Sequence, residues 1–149
     1  MQVTEEIVSE ALKLDNQLCF PLYAAARQVV SMYTPFLKPL GLTYTQYIVF
    51  LALWEKDHIT VGELGSRLCL DNGTLTPLLK KLQAQGYVDR TRAEDDERVV
   101  LVSLTEKGRA LREDAKEIPF KVASCFKLSV DDSLELRALL YKLIATSGE

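Results

Sequence analysis

Apolar residues recur at helical spacing along most of the chain. Across residues 18–40 they recur every three or four positions, which predicts a long helix over about Asn16–Leu37. Pro21 has to lie in the first turn of this helix, because only there do backbone N–H groups lack an intrahelical acceptor. Cys19 is then expected in the same first turn. Three residues that interrupt helices are expected to end it: Pro35, Pro39 and Gly41.

The following segments predict three shorter helices, of which the last two are joined by a glycine-containing turn. The first is Tyr44–Glu55, and its apolar face is predicted to carry Tyr47, Ile48, Leu51 and Trp54. The second runs through VGELGSRLCL after Thr60, a predicted cap with Glu63 at capping-box spacing. The third reads TLTPLLKKLQAQG, with Thr74 as its cap and Gly86 as its stop. Two short helices joined in this way are typical of a helix-turn-helix.

The periodicity then changes from that of a helix to that of a strand. Residues 87–92 and 99–104 predict two strands, joined by the charged tip AEDDER. A hairpin directly after a helix-turn-helix is a wing. Beyond it, a long helix is predicted from Thr105 toward Phe126 with a kink at Pro119, followed by a last helix over about Val130–Ala145.

These elements predict a mainly α fold with a small β-wing, in which a winged helix-turn-helix is flanked by N- and C-terminal dimerisation helices. We expect a single domain over residues 1–149. Its dimerisation helices would occupy about 5–40 and 105–149, and its DNA-binding lobe about 44–104. A homodimer is expected because the terminal helices are apolar on more than one face, which a second copy of the chain would bury.

The composition excludes several classes of protein. The 149 residues are 48% hydrophobic and 26% charged, which is ordinary for a globular domain. No apolar run approaches the roughly 18–20 residues of a membrane helix, and the mixed, acidic N-terminus is unlike a signal peptide. We therefore expect a cytoplasmic, nucleoid-associated protein that does not bind a membrane. One histidine and three widely spaced cysteines predict neither a metal site nor a cofactor.

The net charge of −3 argues against a nucleic-acid binder, but DNA contacts only a local surface. The range Thr60–Arg92 holds five basic and three acidic residues. This local excess and the helix-turn-helix predict double-stranded DNA as the partner. An arginine at the wing tip suits the minor groove, and a neighbouring carboxylate can hold it in a bidentate pair. The expected DNA-binding residues are Thr74, Thr76, Pro77, Lys80, Lys81, Arg90, Arg98 and its partner Asp96.

Two segments resemble a known family. The stretch LDNGTLTPLLKKLQAQGYVDRTRAEDDERVVLVSLTEKG is similar to the winged helix of the MarR family of bacterial regulators. The stretch LDNQLCFPLYAAARQVVSMYTPFLKPLGLTYTQYIVFLALWE resembles the OhrR branch, the repressors that sense organic hydroperoxides. The resemblance implies a homodimer that reads a pseudo-palindromic operator, with Arg98 in the minor groove and Asp96 supporting it.

Cys19 has the chemistry of a sensing residue. A thiolate is the nucleophile that attacks a peroxide, and the N-terminus of a helix favours the thiolate over the thiol. Tyr23, Tyr33 and Tyr44 are candidate hydrogen-bond donors to it. Tyr33 follows Cys19 by fourteen residues, about 21 Å along a helix, and so reaches a Cys19 thiol only from another chain. The resemblance implies that Tyr33 and Tyr44 come from the partner subunit.

The two other cysteines have different expectations. An oxidised thiol becomes a sulfenic acid, which a second thiol captures as a disulfide. In one group of OhrR-like proteins that second thiol lies in the partner's C-terminal half, which makes Cys125 the possible resolving thiol. Cys69 lies between two leucines and is expected to be buried packing.

We interpret the chain as a homodimeric, redox-sensing bacterial repressor, not an enzyme, which leaves its operator when organic hydroperoxides oxidise Cys19. One alternative is a MarR-like regulator that responds to a small aromatic ligand. Another is a global redox regulator with a single working cysteine. A helical thiol peroxidase is disfavoured, because apart from Arg27 no histidine or arginine near Cys19 could polarise a peroxide.

Overall fold

The computed structural model describes residues 4–146, which form helices and one small antiparallel sheet. The helices are α1 Glu5–Ala11, α2 Cys19–Leu37, α3 Tyr44–Glu55, α4 Val61–Leu68, α5 Asn72–Ala84, α6 Glu106–Ala115, α7 Ile118–Ala123 and α8 Val130–Thr146. The strands are β1 Ile59–Thr60, β2 Val88–Arg92 and β3 Val100–Leu104. This mainly α architecture with a β-wing is the predicted fold class, and the prediction is confirmed.

The described residues divide into two compact units, with the boundary after Ile118. The first contains α1 to α6 and the sheet, and the second contains most of α7 and all of α8. The boundary lies inside the segment predicted as C-terminal dimerisation helices. No single described helix is both long and apolar enough to cross a membrane. The pair Cys19–Leu40 and Tyr44–Glu55 passes that test only when both are taken together, and it is bent by 77°.

The start of α2 corrects the predicted boundary by three residues. The helix begins at Cys19, whereas Leu14–Asn16 form a short 3-10 turn. Pro21 is the third helical residue, where its missing N–H costs no intrahelical bond. Pro35 was expected to help end this helix, but it lies inside it. It lies in the last turn, where its fixed φ fits the helix and only one backbone hydrogen bond is lost.

Helix α3 carries the core of the first unit. It begins with a full capping box between Thr43 and Gln46. The predicted apolar face was partly wrong, since Leu51 is 42% exposed and Ile48 is half-buried. Because the helix is surrounded by other elements, its buried surface extends beyond a single stripe. Its buried residues are Gln46, Tyr47, Val49, Phe50, Ala52 and Leu53.

The helix-turn-helix is formed by α4 and α5, and two details differ from expectation. Asp71, not Thr74, caps α5: the Asp71 carboxylate accepts a hydrogen bond of 2.7 Å from the Thr74 N–H. Cys69 is exposed rather than buried. It ends α4 in the left-handed conformation with φ 54°, which turns its side chain to solvent while Leu70 N–H bonds back to the Gly65 carbonyl.

The predicted hairpin is found as β2 and β3, in the register Arg90 to Val102. A third strand was missed: β1 pairs with β3, which gives the order β1-β3-β2. Strand β1 has only two residues, which is too few to show the alternating pattern of a strand in the sequence. The helix predicted from Thr105 to Phe126 is broken into α6 and α7, and Pro119 lies in the first turn of α7 rather than at a kink.

Candidate DNA interface and redox site

Helix α5 presents a polar face to solvent because its apolar face is fixed in the core. Leu75, Leu79 and Leu82 are fully buried at helical spacing. The residues predicted to bind DNA occupy the other sides of the helix: Thr74, Pro77, Lys80 and Lys81 are exposed, and Thr76 is half-buried. Free N–H groups and short hydroxyls near the start of the helix, with two lysines about two turns further on, suit phosphates and base edges.

A glycine contact sets how closely α4 approaches α5. Gly65 is buried, and a Cβ at this position would lie 2.8 Å from the Leu70 carbonyl oxygen and 3.5 Å from Leu75 Cδ2. Only a residue without a side chain allows this approach. Gly65 therefore allows the close approach of α4 to the turn that leads into α5.

The wing tip holds its arginine in an extended position. The Arg98 side chain is 91% exposed, and its Nε and Nη2 donate to the two Asp96 carboxylate oxygens at 3.2 and 3.5 Å. The Arg98 backbone N–H donates to the same carboxylate, and these bonds hold the pKa of Asp96 below its usual value. The pairing agrees with the expected bidentate geometry, and the role of Arg98 on DNA stays a prediction.

Arg90 has a different environment from the other predicted DNA contacts. It is half-buried, and its Nε donates a hydrogen bond of 2.8 Å to the Gln83 side chain at the end of α5. This bond ties strand β2 to the recognition helix. Arg90 therefore orients the wing relative to α5 in addition to any contact it makes with phosphate.

The base of the wing is anchored by residues that sequence reasoning missed. The Asp57 carboxylate accepts bonds from the backbone N–H groups of Leu104 at 2.9 Å and His58 at 2.8 Å. Arg109 donates to the Leu104 carbonyl at 2.8 Å and lies 3.8 Å from Asp57. These contacts join the end of α3 to the end of β3. No local pattern reveals the bond between Asp57 and Leu104, since these residues are 47 positions apart in the sequence.

Cys19 is the first residue of α2 and is exposed. Its neighbours are also exposed and apolar: Leu18 is 75% and Phe20 44% accessible. Helix α2 is continuous from Cys19 to Tyr33, so these two residues are about 21 Å apart along one chain. The structure therefore does not bring Cys19 and Tyr33 together within a single chain.

The predicted tyrosines Tyr33 and Tyr44 do lie together, and Tyr47 joins them. The ring centroids of Tyr33 and Tyr44 are 4.8 Å apart, and Tyr47 lies 5.5 Å from Tyr33 and 6.4 Å from Tyr44. Burial raises the pKa of all three phenols, and that of Tyr47 reaches about 12. They are therefore neutral hydrogen-bond donors at physiological pH. Within residues 4–146 no hydrogen bond of these hydroxyls is found.

Tyr23 and Cys125 are the two other residues that were predicted to serve the thiol chemistry. Tyr23 is exposed on α2 and accepts a hydrogen bond of 3.3 Å from Arg27 Nη1, with the guanidinium 5.6 Å from its ring. Cys125 is exposed just beyond α7, in the second unit, with its Sγ 3.4 Å from the Lys121 carbonyl oxygen. Both side chains are thus open to groups from outside the chain.

Known proteins resemble this chain in sequence and in fold. Residues 31–115 match the family described as transcriptional regulator SarA/Rot. The organic hydroperoxide resistance transcriptional regulator of Bacillus subtilis is 47% identical over 135 residues, covering 91% of this chain and 92% of that protein. The chain belongs to the SarA/Rot and MarR-type winged-helix transcriptional regulators. The prediction of the family is thereby confirmed.

Two further members of this winged-helix group are similar along most of their length. The regulator SarZ of Staphylococcus saprophyticus is 43% identical over 131 residues, which cover 88% of this chain and 90% of that protein. Reduced AbfR bound to DNA matches with a TM-score of 0.79 at 35% identity, covering 93% of this chain and 95% of that one. AbfR of Staphylococcus epidermidis is also known in a disulfide-formed state. These relatives are transcriptional regulators, as was predicted for this chain.

Proposed function

We propose that this regulator is a homodimeric repressor that binds a pseudo-palindromic operator and is released when an organic hydroperoxide oxidises Cys19. It would act in the cytoplasm on double-stranded DNA. The name of the Bacillus subtilis relative and the DNA-bound AbfR structure support this assignment. No metal or cofactor is part of the proposal.

One observation carries the redox part of the proposal. The exposed Cys19 thiol begins α2, while the half-buried Tyr33 and Tyr44 rings pair 4.8 Å apart at its other end. Their hydroxyls have no acceptor among residues 4–146. A second copy of the chain, placed antiparallel along α2, supplies the missing acceptor as its own Cys19 sulfur. The exposed apolar side chains of α1 and α2 support such a dimer.

The proposed oxidation transfers one oxygen atom from the hydroperoxide to the Cys19 sulfur. The Cys19 thiolate attacks the terminal oxygen of the hydroperoxide, so that an S–O bond forms and the O–O bond breaks. The alkoxide takes up a proton and leaves as an alcohol. Sulfur is oxidised to a sulfenic acid, and the peroxide is reduced. The phenol groups of Tyr33 and Tyr44 stabilise the thiolate beforehand, because charge-assisted hydrogen bonds are stronger than neutral ones.

Cys125 of the partner subunit is the proposed resolving thiol. Its sulfur would attack the sulfenic sulfur of Cys19, so that an S–S bond forms, the S–O bond breaks and water leaves. The exposure of Cys125 and the disulfide-formed state of AbfR support this step.

Release from DNA follows from the geometry of paired readout. Two recognition helices bind half-sites about one helical turn apart, so a small rotation of either lobe removes one helix from its groove. Oxidation replaces a thiolate that accepts two phenol hydrogen bonds with a bulkier, neutral group. The tyrosine pair then loses its acceptor, and the segment α2–α3 that carries both rings is free to shift.

Cys19→Ser protein tests the proposal. We expect it to bind the duplex upstream of its own gene as tightly as the wild type does. One equivalent of cumene hydroperoxide should weaken wild-type binding roughly tenfold or more, but should leave the variant bound. Fluorescence anisotropy measures both. The matched control is Cys69→Ser, because Cys69 is also an exposed cysteine and should leave the response intact. Release of the Cys19→Ser protein by peroxide would overturn the sensor assignment.

A further inference from the structure

A third tyrosine packs against the two that would face the partner in the proposed dimer. Tyr47 is 1% exposed, and its ring contacts Tyr33 at 5.5 Å and Tyr44 at 6.4 Å between centroids. Tyr44 and Tyr47 are three residues apart on α3 and so share one face of that helix. Tyr33 comes from α2. The three rings therefore form one cluster across the α2–α3 junction.

The three tyrosine side chains of this cluster differ in how many rotamers they can adopt. Tyr33 and Tyr44 are half-buried, and their hydroxyls lack an acceptor within residues 4–146. Tyr47 is almost completely buried, like the neighbouring α3 residues Gln46, Val49 and Phe50. A close-packed side chain has few alternative rotamers, whereas a half-buried ring without a hydrogen bond has several. The ring of Tyr47 is thus the fixed surface against which the other two rings rest.

We propose that Tyr47 is a positioning residue, whose ring holds Tyr33 and Tyr44 in the orientation that donates to the partner's Cys19 thiolate. The inference rests on the proposed function. It assigns the role to the ring and not to the hydroxyl, because Tyr47 is only 1% exposed, whereas Tyr33 and Tyr44 are half-buried and so more accessible to another chain. Burial also keeps its pKa near 12, so Tyr47 brings no charge near the thiolate.

Substitutions at Tyr47 separate the ring from the hydroxyl. In a background carrying Cys69→Ser and Cys125→Ser, the rate at which cumene hydroperoxide converts Cys19 to a sulfenic acid is measured by dimedone trapping and mass spectrometry. We expect Tyr47→Leu to slow this rate about tenfold, the effect of one lost charge-assisted hydrogen bond. Tyr47→Phe keeps the ring and should restore the rate to within about twofold of the parent.

Controls distinguish positioning from a general loss of stability. Phe50→Leu removes another buried ring of α3 that contacts Trp54 and Tyr87 instead of the tyrosine pair. It should lower the melting temperature as much as Tyr47→Leu and leave the oxidation rate unchanged. Operator affinity of the reduced Tyr47→Leu protein should equal that of the parent. If Tyr47→Leu does not fold, Tyr47→Met fills more of the space and takes its place.

The oxidation rates of the Tyr47 variants test the positioning role of this residue. An unchanged rate in Tyr47→Leu or Tyr47→Met would overturn it, and so would a Tyr47→Phe rate as slow as that of Tyr47→Leu. Tyr33→Phe and Tyr44→Phe separate this failure from failure of the proposed function. If both slow the oxidation while Tyr47→Leu does not, only the inference on Tyr47 fails. If neither slows the oxidation, Tyr33 and Tyr44 do not stabilise the Cys19 thiolate, and this part of the proposed function is wrong.

Discussion

At the scale of single residues, the chain uses exposed polar groups that nearby bonds hold in place. Arg98 is held by Asp96 at the wing tip, although the guanidinium is almost fully accessible. An exposed ion pair adds little to stability, so the main effect of this pair is to orient the Arg98 guanidinium. Cys19 is also exposed, and in the proposed dimer it would meet its hydrogen-bond donors on the second copy of the chain.

Arg98→Ala should weaken operator binding without loss of stability. Loss of a groove contact costs about 1–3 kcal/mol in binding, and loss of a positive charge near phosphate lowers the salt slope by about one per subunit. Anisotropy titrations at several salt concentrations measure both quantities. Arg112→Ala, which removes an exposed arginine of α6, is the control and should change neither. Equal losses in the two variants would show that only net charge matters.

At the scale of elements, α3 connects the proposed redox site to the DNA-binding lobe. Its aromatic residues continue from the tyrosine cluster: Phe50 lies 5.5 Å from Trp54 and 5.4 Å edge-on from Tyr87, which follows α5. Trp54 Nε1 donates 3.0 Å to the Gly108 carbonyl at the start of α6. In the proposed mechanism, a shift of α3 would act directly on Tyr87, which precedes β2, and on Gly108, which follows β3.

Gly65→Ala should disturb the helix-turn-helix. The added Cβ would lie 2.8 Å from a backbone oxygen, so α4 and the turn have to move apart. We expect about 1–3 kcal/mol less stability in urea denaturation, together with weaker operator binding. Gly62→Ala is the matched control on the same helix, since its nearest neighbour lies 3.9 Å away. It should be neutral or slightly stabilising. The close-approach explanation fails if the two alanine variants behave alike.

At the scale of the whole molecule, one chain supplies half of what the proposed function requires. The first unit holds one recognition helix and one tyrosine pair, whereas palindromic DNA needs two helices and the tyrosine pair needs a thiol from elsewhere. The second unit holds Cys125 and an α8 without buried residues. Leu134, Leu139 and Ile144 of α8 are between 48% and 58% exposed. A second copy satisfies all of these needs together.

The proposed intersubunit disulfide gives a prediction for the dimer. After one equivalent of cumene hydroperoxide, the wild type should migrate as a covalent dimer on a non-reducing gel and revert with dithiothreitol. Cys125→Ser should remain monomeric on the gel, because no resolving thiol is present. Cys69→Ser should behave like the wild type. A wild-type protein that forms no covalent dimer would indicate a single-cysteine sensor, in which a small thiol caps Cys19.

The sequence by itself determined the features that local interactions control. Helical and alternating periods located α2, α3, the helix-turn-helix, the hairpin and α8, and Pro21 placed Cys19 at a helix start. Boundaries were less certain where two local solutions compete, as when Asp71 instead of Thr74 caps α5. Either residue has a short polar side chain that can accept a hydrogen bond from a backbone N–H about three positions later, so the local sequence does not decide which of them caps the helix.

Only the tertiary structure decided the features that depend on distant residues. Strand β1, the Asp57 anchor and the burial of Tyr47 all arise from partners brought together by the core. Tyr47 has the same apolar pattern as any core aromatic, so its place beneath Tyr33 and Tyr44 is invisible before α2 packs on α3. The same holds for Cys69, which a left-handed helix end turns to solvent. Periodicity reports which side of an element is apolar, whereas packing decides what that side meets.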